Sequence, residues 1–89
     1  MNIKIRYMSY EIAKYFQSST KEETIAFQDT QKYQDLLEEL EKRIEKSQGD
    51  KSVLKNFVMI CNGHRVSDLK NEPLNSNYEI IIAHADTGG

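Results

Sequence analysis

The chain has 89 residues, 38% hydrophobic and 29% charged, with a formal net charge of −2. Length allows one domain, because so short a chain buries only roughly 60 to 65% of its unfolded surface, and a deep private active-site cleft is not expected. No polybasic run points to nucleic acid or anionic membrane, no apolar run is long enough to span a bilayer, and nothing resembles a signal peptide. The single cysteine, Cys61, excludes an intramolecular disulfide and a multi-cysteine zinc site, so the expected setting is reduced and cytoplasmic.

In chain order, Ile3, Ile5 and Tyr7 alternate with Asn2, Lys4 and Arg6 at period two, which predicts a half-buried first strand. Between Ser9 and Thr20 the alternation is lost, and Ile12, Tyr15 and Phe16 suit one helical turn over an end of the core. Glu23 to Gln28 predict a second strand, with Ile25 and Phe27 on one side. Asp29 and Thr30 then offer oxygen caps to a helix carrying Tyr33, Leu36, Leu37, Leu40 and Ile44 on one face. Gly49 stops that helix, and a mobile loop is expected as far as Lys55.

Phe57 to Ser67 read as a hairpin, because Asn62-Gly63 can adopt the positive φ angles of a two-residue primed turn. That turn sets Cys61 against His64, Ile60 against Arg65 and Met59 against Val66. Since Val66 must point inward, Phe57, Met59 and Cys61 go with it, and Val58 and Ile60 face outward. Asp68 to Asn77 are irregular, with Leu69 and Leu74 as anchors and Pro73 barring a central strand. Tyr78 to His84 predict the last strand, with Tyr78, Ile80 and Ile82 anchoring it and Ile81 and Ala83 outward.

One amphipathic helix covers one side of one sheet, so the expected class is α+β, a mixed four- to five-stranded sheet packed on one main α-helix. Residues 1–84 form the domain and residues 85–89 a flexible tail. If the last strand lies beside the third, Val58, Ile60, Ile81 and Ala83 form an apolar patch on the bare face, suited to a partner. Gly88-Gly89 contribute nothing to a core, and their place at the end of the sequence singles them out as the working part over an accident or an added scar.

This layout, with the Asn62-Gly63 hairpin, Pro73-Leu74 ahead of a final strand and the terminal Gly88-Gly89, resembles the ubiquitin-like β-grasp sulfur-carrier family, the MoaD/ThiS-like carriers related to ubiquitin-like modifiers. The chain departs from that family in having Ser76-Asn77-Tyr78-Glu79 where Gly-Asp often leads into the last strand, and no proline before the tail. The resemblance implies a carrier that is not itself an enzyme. An E1-like adenylating partner, using ATP and magnesium, activates the Gly89 carboxylate; a sulfur donor converts it to a thiocarboxylate; and an acceptor synthase subunit uses the sulfur in molybdopterin or thiamine biosynthesis or in tRNA thiolation. Gly88, Thr87 and Asp86 would lead Gly89 into the partner's site. The alternatives are a ubiquitin-like modifier joined to lysines through Gly89, and a non-catalytic β-grasp interaction module.

Two side-chain sites compete with the tail. Cys61 and His64 could be a thiolate and its base, but no orienting group or oxyanion hole accompanies them, and an inward cysteine is more often an inert small hydrophobe. His64 and His84 could ligate a metal, but lack carboxylates at ligand spacing, so no metal site is expected.

Overall fold

The computed structural model describes residues 1–85, so Asp86, Thr87, Gly88 and Gly89 lie outside the described residues. Five strands, β1 (Asn2–Tyr7), β2 (Glu22–Ala26), β3 (Phe57–Cys61), β4 (His64–Arg65) and β5 (Ile80–His84), form one mixed sheet in the order β2-β1-β5-β3-β4. A short helix, α1 (Tyr10–Tyr15), follows β1, and the long helix α2 (Tyr33–Gln48) crosses the sheet. First and last strands pair in parallel, Ile5 opposite Ile80 and Tyr7 opposite Ile82, and every other pairing is antiparallel. This is a β-grasp: one sheet holding one main helix.

The alternation read from the sequence sets the layers. Ile3, Ile5, Tyr7, Phe57, Met59, Cys61, Ile80 and Ile82 are buried on the inner side of the sheet, against Tyr33, Leu36, Leu40 and Ile44 of α2. The α1 segment closes one end. Ser9 accepts from the Ile12 amide (3.1 Å), and Phe16 stacks on Tyr7 and meets Phe57 edge-on, with ring centroids 5.5 and 5.2 Å apart. At the hairpin, Asn62 (φ 52°) and Gly63 (φ 80°) both occupy the left-handed region, as a tight primed turn requires.

Four elements differ from the sequence reading, one being the fourth strand, which ends at Arg65, where Val66 opens a 3₁₀ helix and the expected Met59–Val66 pair is not made. The long helix begins at Tyr33 and not at Asp29-Thr30, because its first free amides are met from a distant segment: Tyr33 donates to the Glu72 carbonyl (3.1 Å) and Gln34 to that of Lys70 (3.2 Å). Asp35 completes the start by accepting from the Lys32 amide (2.8 Å). The expected mobile loop is a 3₁₀ helix, Lys51–Asn56, capped by Asp50 accepting from Ser52 (2.9 Å), with Val53 and Leu54 packed on the core. The last strand starts at Ile80; Tyr78 precedes it in a turn, 41% exposed, and anchors nothing.

Two polar links cross the layers. Glu23, on the inner side of β2, accepts from the Tyr7 hydroxyl (2.7 Å) and from the guanidinium of Arg43 on α2. Tyr33 shares a hydrogen bond with the Cys61 thiol (3.3 Å) and accepts from the Asn75 amide (3.3 Å), joining α2, β3 and the irregular segment. Burial, reinforced by the Cys61 contact, pushes the Tyr33 phenol up to about 12, and burial with the Glu23 carboxylate pushes Tyr7 up further. A phenol held protonated in the fold contributes stability in full below its unfolded value of about 10, and loses it as pH rises through the folded value. Urea unfolding of the wild type should therefore show stability falling from pH 10 upward, and Tyr33→Phe should flatten that fall. Leu40→Ala, which empties a fully buried position, should cost about 2–5 kcal/mol in the same measurement at pH 7.

Candidate functional site

The last strand is central, and its end delivers the chain to one pole of the sheet. There the Ala85 amide donates to the Asn56 carbonyl (2.9 Å), and the His84 ring stacks on Phe57 with centroids 5.2 Å apart. Tyr15, Asn56, Phe57, His84 and Ala85 surround a small recess at this point. Residues 86–89 continue from it, so the sequence-predicted positions Asp86, Thr87, Gly88 and Gly89 fall outside the described residues.

The four expected patch residues are brought together. Strand β5 does lie beside β3, with Val58 opposite Ala83 and Ile60 opposite Ile81, all four half-buried on the side of the sheet away from α2. Arginines flank them across the sheet: Arg6 of β1 sits opposite Ile81, and Arg65 of β4 opposite Ile60. Arg6 is tied to Glu22 and Glu79 (3.3 Å each), and Lys4 reaches the same two carboxylates at 3.6 and 3.9 Å. The outer face thus has an ionic corner on β1 and β2 and an apolar strip on β3 and β5.

One residue of this face escaped the sequence reading. Met8 follows Tyr7 with its amide donating to the Ile82 carbonyl (3.0 Å), so by the parallel register it comes next to Ala83, and it is 57% exposed. The alternation Lys4, Arg6, Met8 carried that signal. Apolar surface therefore reaches the pole from which the chain continues.

The competing sites come apart. Cys61 and His64 are paired across the hairpin, but Cys61 is buried and bonded to Tyr33, while His64 is exposed at the sheet edge. A thiol closed off by a neutral phenol has neither the access nor the electropositive neighbour that a nucleophile needs. His64 and His84 lie at opposite ends of β3, facing Cys61 and Phe57 respectively, about 13 Å apart along the strand. Among the described residues no three His, Cys, Asp or Glu side chains gather as a metal-binding group, and no helix is long and apolar enough to cross a membrane. Native protein should react with a thiol reagent such as dithionitrobenzoate at least about a hundredfold more slowly than protein unfolded in urea, and His64→Ala should leave that rate unchanged.

No family model and no curated protein matches the sequence. Among solved structures, the chain is similar to a protein of Pyrococcus furiosus provisionally named molybdopterin converting factor, subunit 1, at 21% identity and a TM-score of 0.61, over 92% of this chain and 94% of that one. At that identity what is shared is the fold, and the fold is the β-grasp of MoaD-like proteins.

Proposed function

We propose that the chain is a sulfur-carrier protein whose Gly89 carboxylate is the reactive group. The observation that carries this reading is the central β5. A MoaD-like sheet sends its last strand between β1 and β3 to a pole where Ala85 is pinned to Asn56, with Gly88-Gly89 following in sequence and the apolar strip of Met8, Val58, Ile60, Ile81 and Ala83 beside it. The similarity to a molybdopterin converting factor subunit supports the same reading.

The chemistry asks little of the carrier. At neutral pH an α-carboxyl is ionised, its usual value being about 3.3 to 3.7, and it can attack the α-phosphate of ATP held with magnesium by an E1-like adenylating enzyme. A P–O bond forms, pyrophosphate leaves, and the product is an acyl-adenylate. Sulfide then attacks the carbonyl carbon and AMP leaves, giving the thiocarboxylate directly; where the donor is a persulfide the attack gives an acyl disulfide, and a second thiol of the donor cleaves its S–S bond, releasing the thiocarboxylate and leaving a disulfide on the donor. An acceptor synthase subunit of the MoaE kind would take up that sulfur. Two glycines leave no β-carbon to obstruct a narrow channel or the carbonyl under attack. The outer strip docks the adenylating partner, with Arg65, which has no ion pair among the described residues, offered to a partner carboxylate.

Incubation with ATP, magnesium, a MoaD- or ThiS-activating enzyme and sulfide should add about 16 Da at the C-terminus, one oxygen exchanged for sulfur. An intact mass that stays constant while a control carrier reacts would sink the proposal, and isopeptide-linked remnants on cellular lysines would point to a protein modifier. Deleting Gly89 should abolish the reaction with the urea midpoint unchanged. Ile81→Asp should slow adenylation about tenfold or more through weaker docking, with the carboxyl chemistry intact.

A further inference from the structure

The edge of the sheet at β3 is only partly covered. Strand β4 is two residues long, and after Arg65 the chain turns into a 3₁₀ helix, Val66–Leu69, so the ladder on that side covers only Ile60 and Cys61. In a two-residue hairpin the residues next to the turn exchange hydrogen bonds, so Cys61, and by alternation Met59 and Phe57, aim their main-chain groups at this edge. Four of those six groups are used: both of Cys61 in its pairing with His64, the Phe57 amide, which donates to the Leu54 carbonyl, and the Met59 carbonyl, which the Ile60–Arg65 pairing engages. The strand pairings leave the Phe57 carbonyl and the Met59 amide outside the ladder, since Val66, next in line opposite Met59, has entered a 3₁₀ helix.

These two groups open into a groove of about 1010 Å³ between α2, the 3₁₀ helix at Lys51–Asn56 and β3. Leu37 and Leu54 form its apolar wall, and Val58 and Met59 its edge. Lys51, Lys55, Arg65 and Lys70 stand around it against two acids, Glu38 and Glu41, so the groove carries excess positive charge on a chain whose net charge is −2. Lys51 and Glu41 approach to 3.9 Å, which leaves the other three cations facing one carboxylate.

We propose that this edge takes up a short extended peptide as an added strand, apolar at its centre and acidic at its flanks. A carbonyl at one residue and an amide two residues later, on either side of Val58, are what an added strand uses: the peptide donates an N–H to the Phe57 carbonyl and accepts at a C=O from the Met59 amide. The apolar centre of the peptide turns toward Leu37 and Leu54, and the acidic flanks meet the cations. The site lies on the sheet edge, shares only Val58 and Arg65 with the outer face, and requires neither Gly89 nor sulfur chemistry.

The test is an amide NMR titration of the full chain with a capped peptide of three valines flanked on each side by three aspartates. Saturable shifts centred on Met59, Leu54 and Leu37, with slowed hydrogen exchange at the Met59 amide, are expected. Lysine flanks, N-methylation of the valines, or Lys55→Glu with Lys70→Glu in the protein should each weaken binding about tenfold, the charge effects fading in high salt. No saturable shift at millimolar peptide, shifts centred on Ile60 and Ile81, or binding indifferent to N-methylation would each overturn the proposal.

Discussion

The structure depends on the parallel pairing of its first and last strands. With Ile5 opposite Ile80 and Tyr7 opposite Ile82, β5 completes the middle of the sheet, buries Ile80 and Ile82 against α2, and separates two hairpin-like halves that have no other contact within the sheet. A parallel pair needs a long crossover, and here nearly the whole chain serves as one. The placement bears on the proposed function: a chain end that follows a central strand starts from a firmly held part of the molecule, and the proposed reaction at Gly89 asks for no cleft in the carrier.

Much of this was legible because it is local. Period-two alternation placed Ile3, Ile5, Tyr7, Ile80 and Ile82 inside, and Asn62-Gly63 set the register that put Val58 and Ile60 outside. What could not be read was decided by residues far apart in sequence. Asp29 and Thr30 look like caps, yet the Tyr33 and Gln34 amides find the carbonyls of Glu72 and Lys70, and so the helix starts later. The segment after Gly49 is polar enough to look like a loop, and only packing of Val53 and Leu54 on the core folds it into a turn of helix. Tyr78 has the composition of a strand residue, but its amide turns back to the Asn75 carbonyl, and pairing with β1 and β3 begins only at Ile80.

The candidate site divides along the same line. The outer patch followed from parity plus one topological condition, the adjacency of β3 and β5, which the sheet meets. Met8 was missed because the outward residues of the first strand were counted only as far as Arg6, although the alternation continues through it. The Cys61–His64 pairing is met as register, and the inert reading of an inward cysteine fits its burial: pairing fixes which residues are opposite, while burial and the Tyr33 hydroxyl decide what the thiol can do. The groove at the β3 edge has no sequence signature, since it depends on which main-chain groups a two-residue β4 leaves free.

The adjacent glutamates of β2 carry a consequence for how the edge strand finds its place. Within β2 the only large apolar residue turned inward is Ile25, a weak guide to alignment. Glu22 and Glu23 face opposite sides: Glu22 lies with Lys4 and Arg6 outside, and Glu23 with Tyr7 and Arg43 inside. A slip of one residue in one direction puts Thr24 where Glu23 belongs and leaves the guanidinium of Arg43 with Glu39 alone. A slip in the other direction restores a carboxylate there only by withdrawing Glu22 from the two cations on the outer face. Two neighbouring charges thus make either error costly, and alignment is enforced by electrostatic bookkeeping where hydrophobic content is too thin to enforce it.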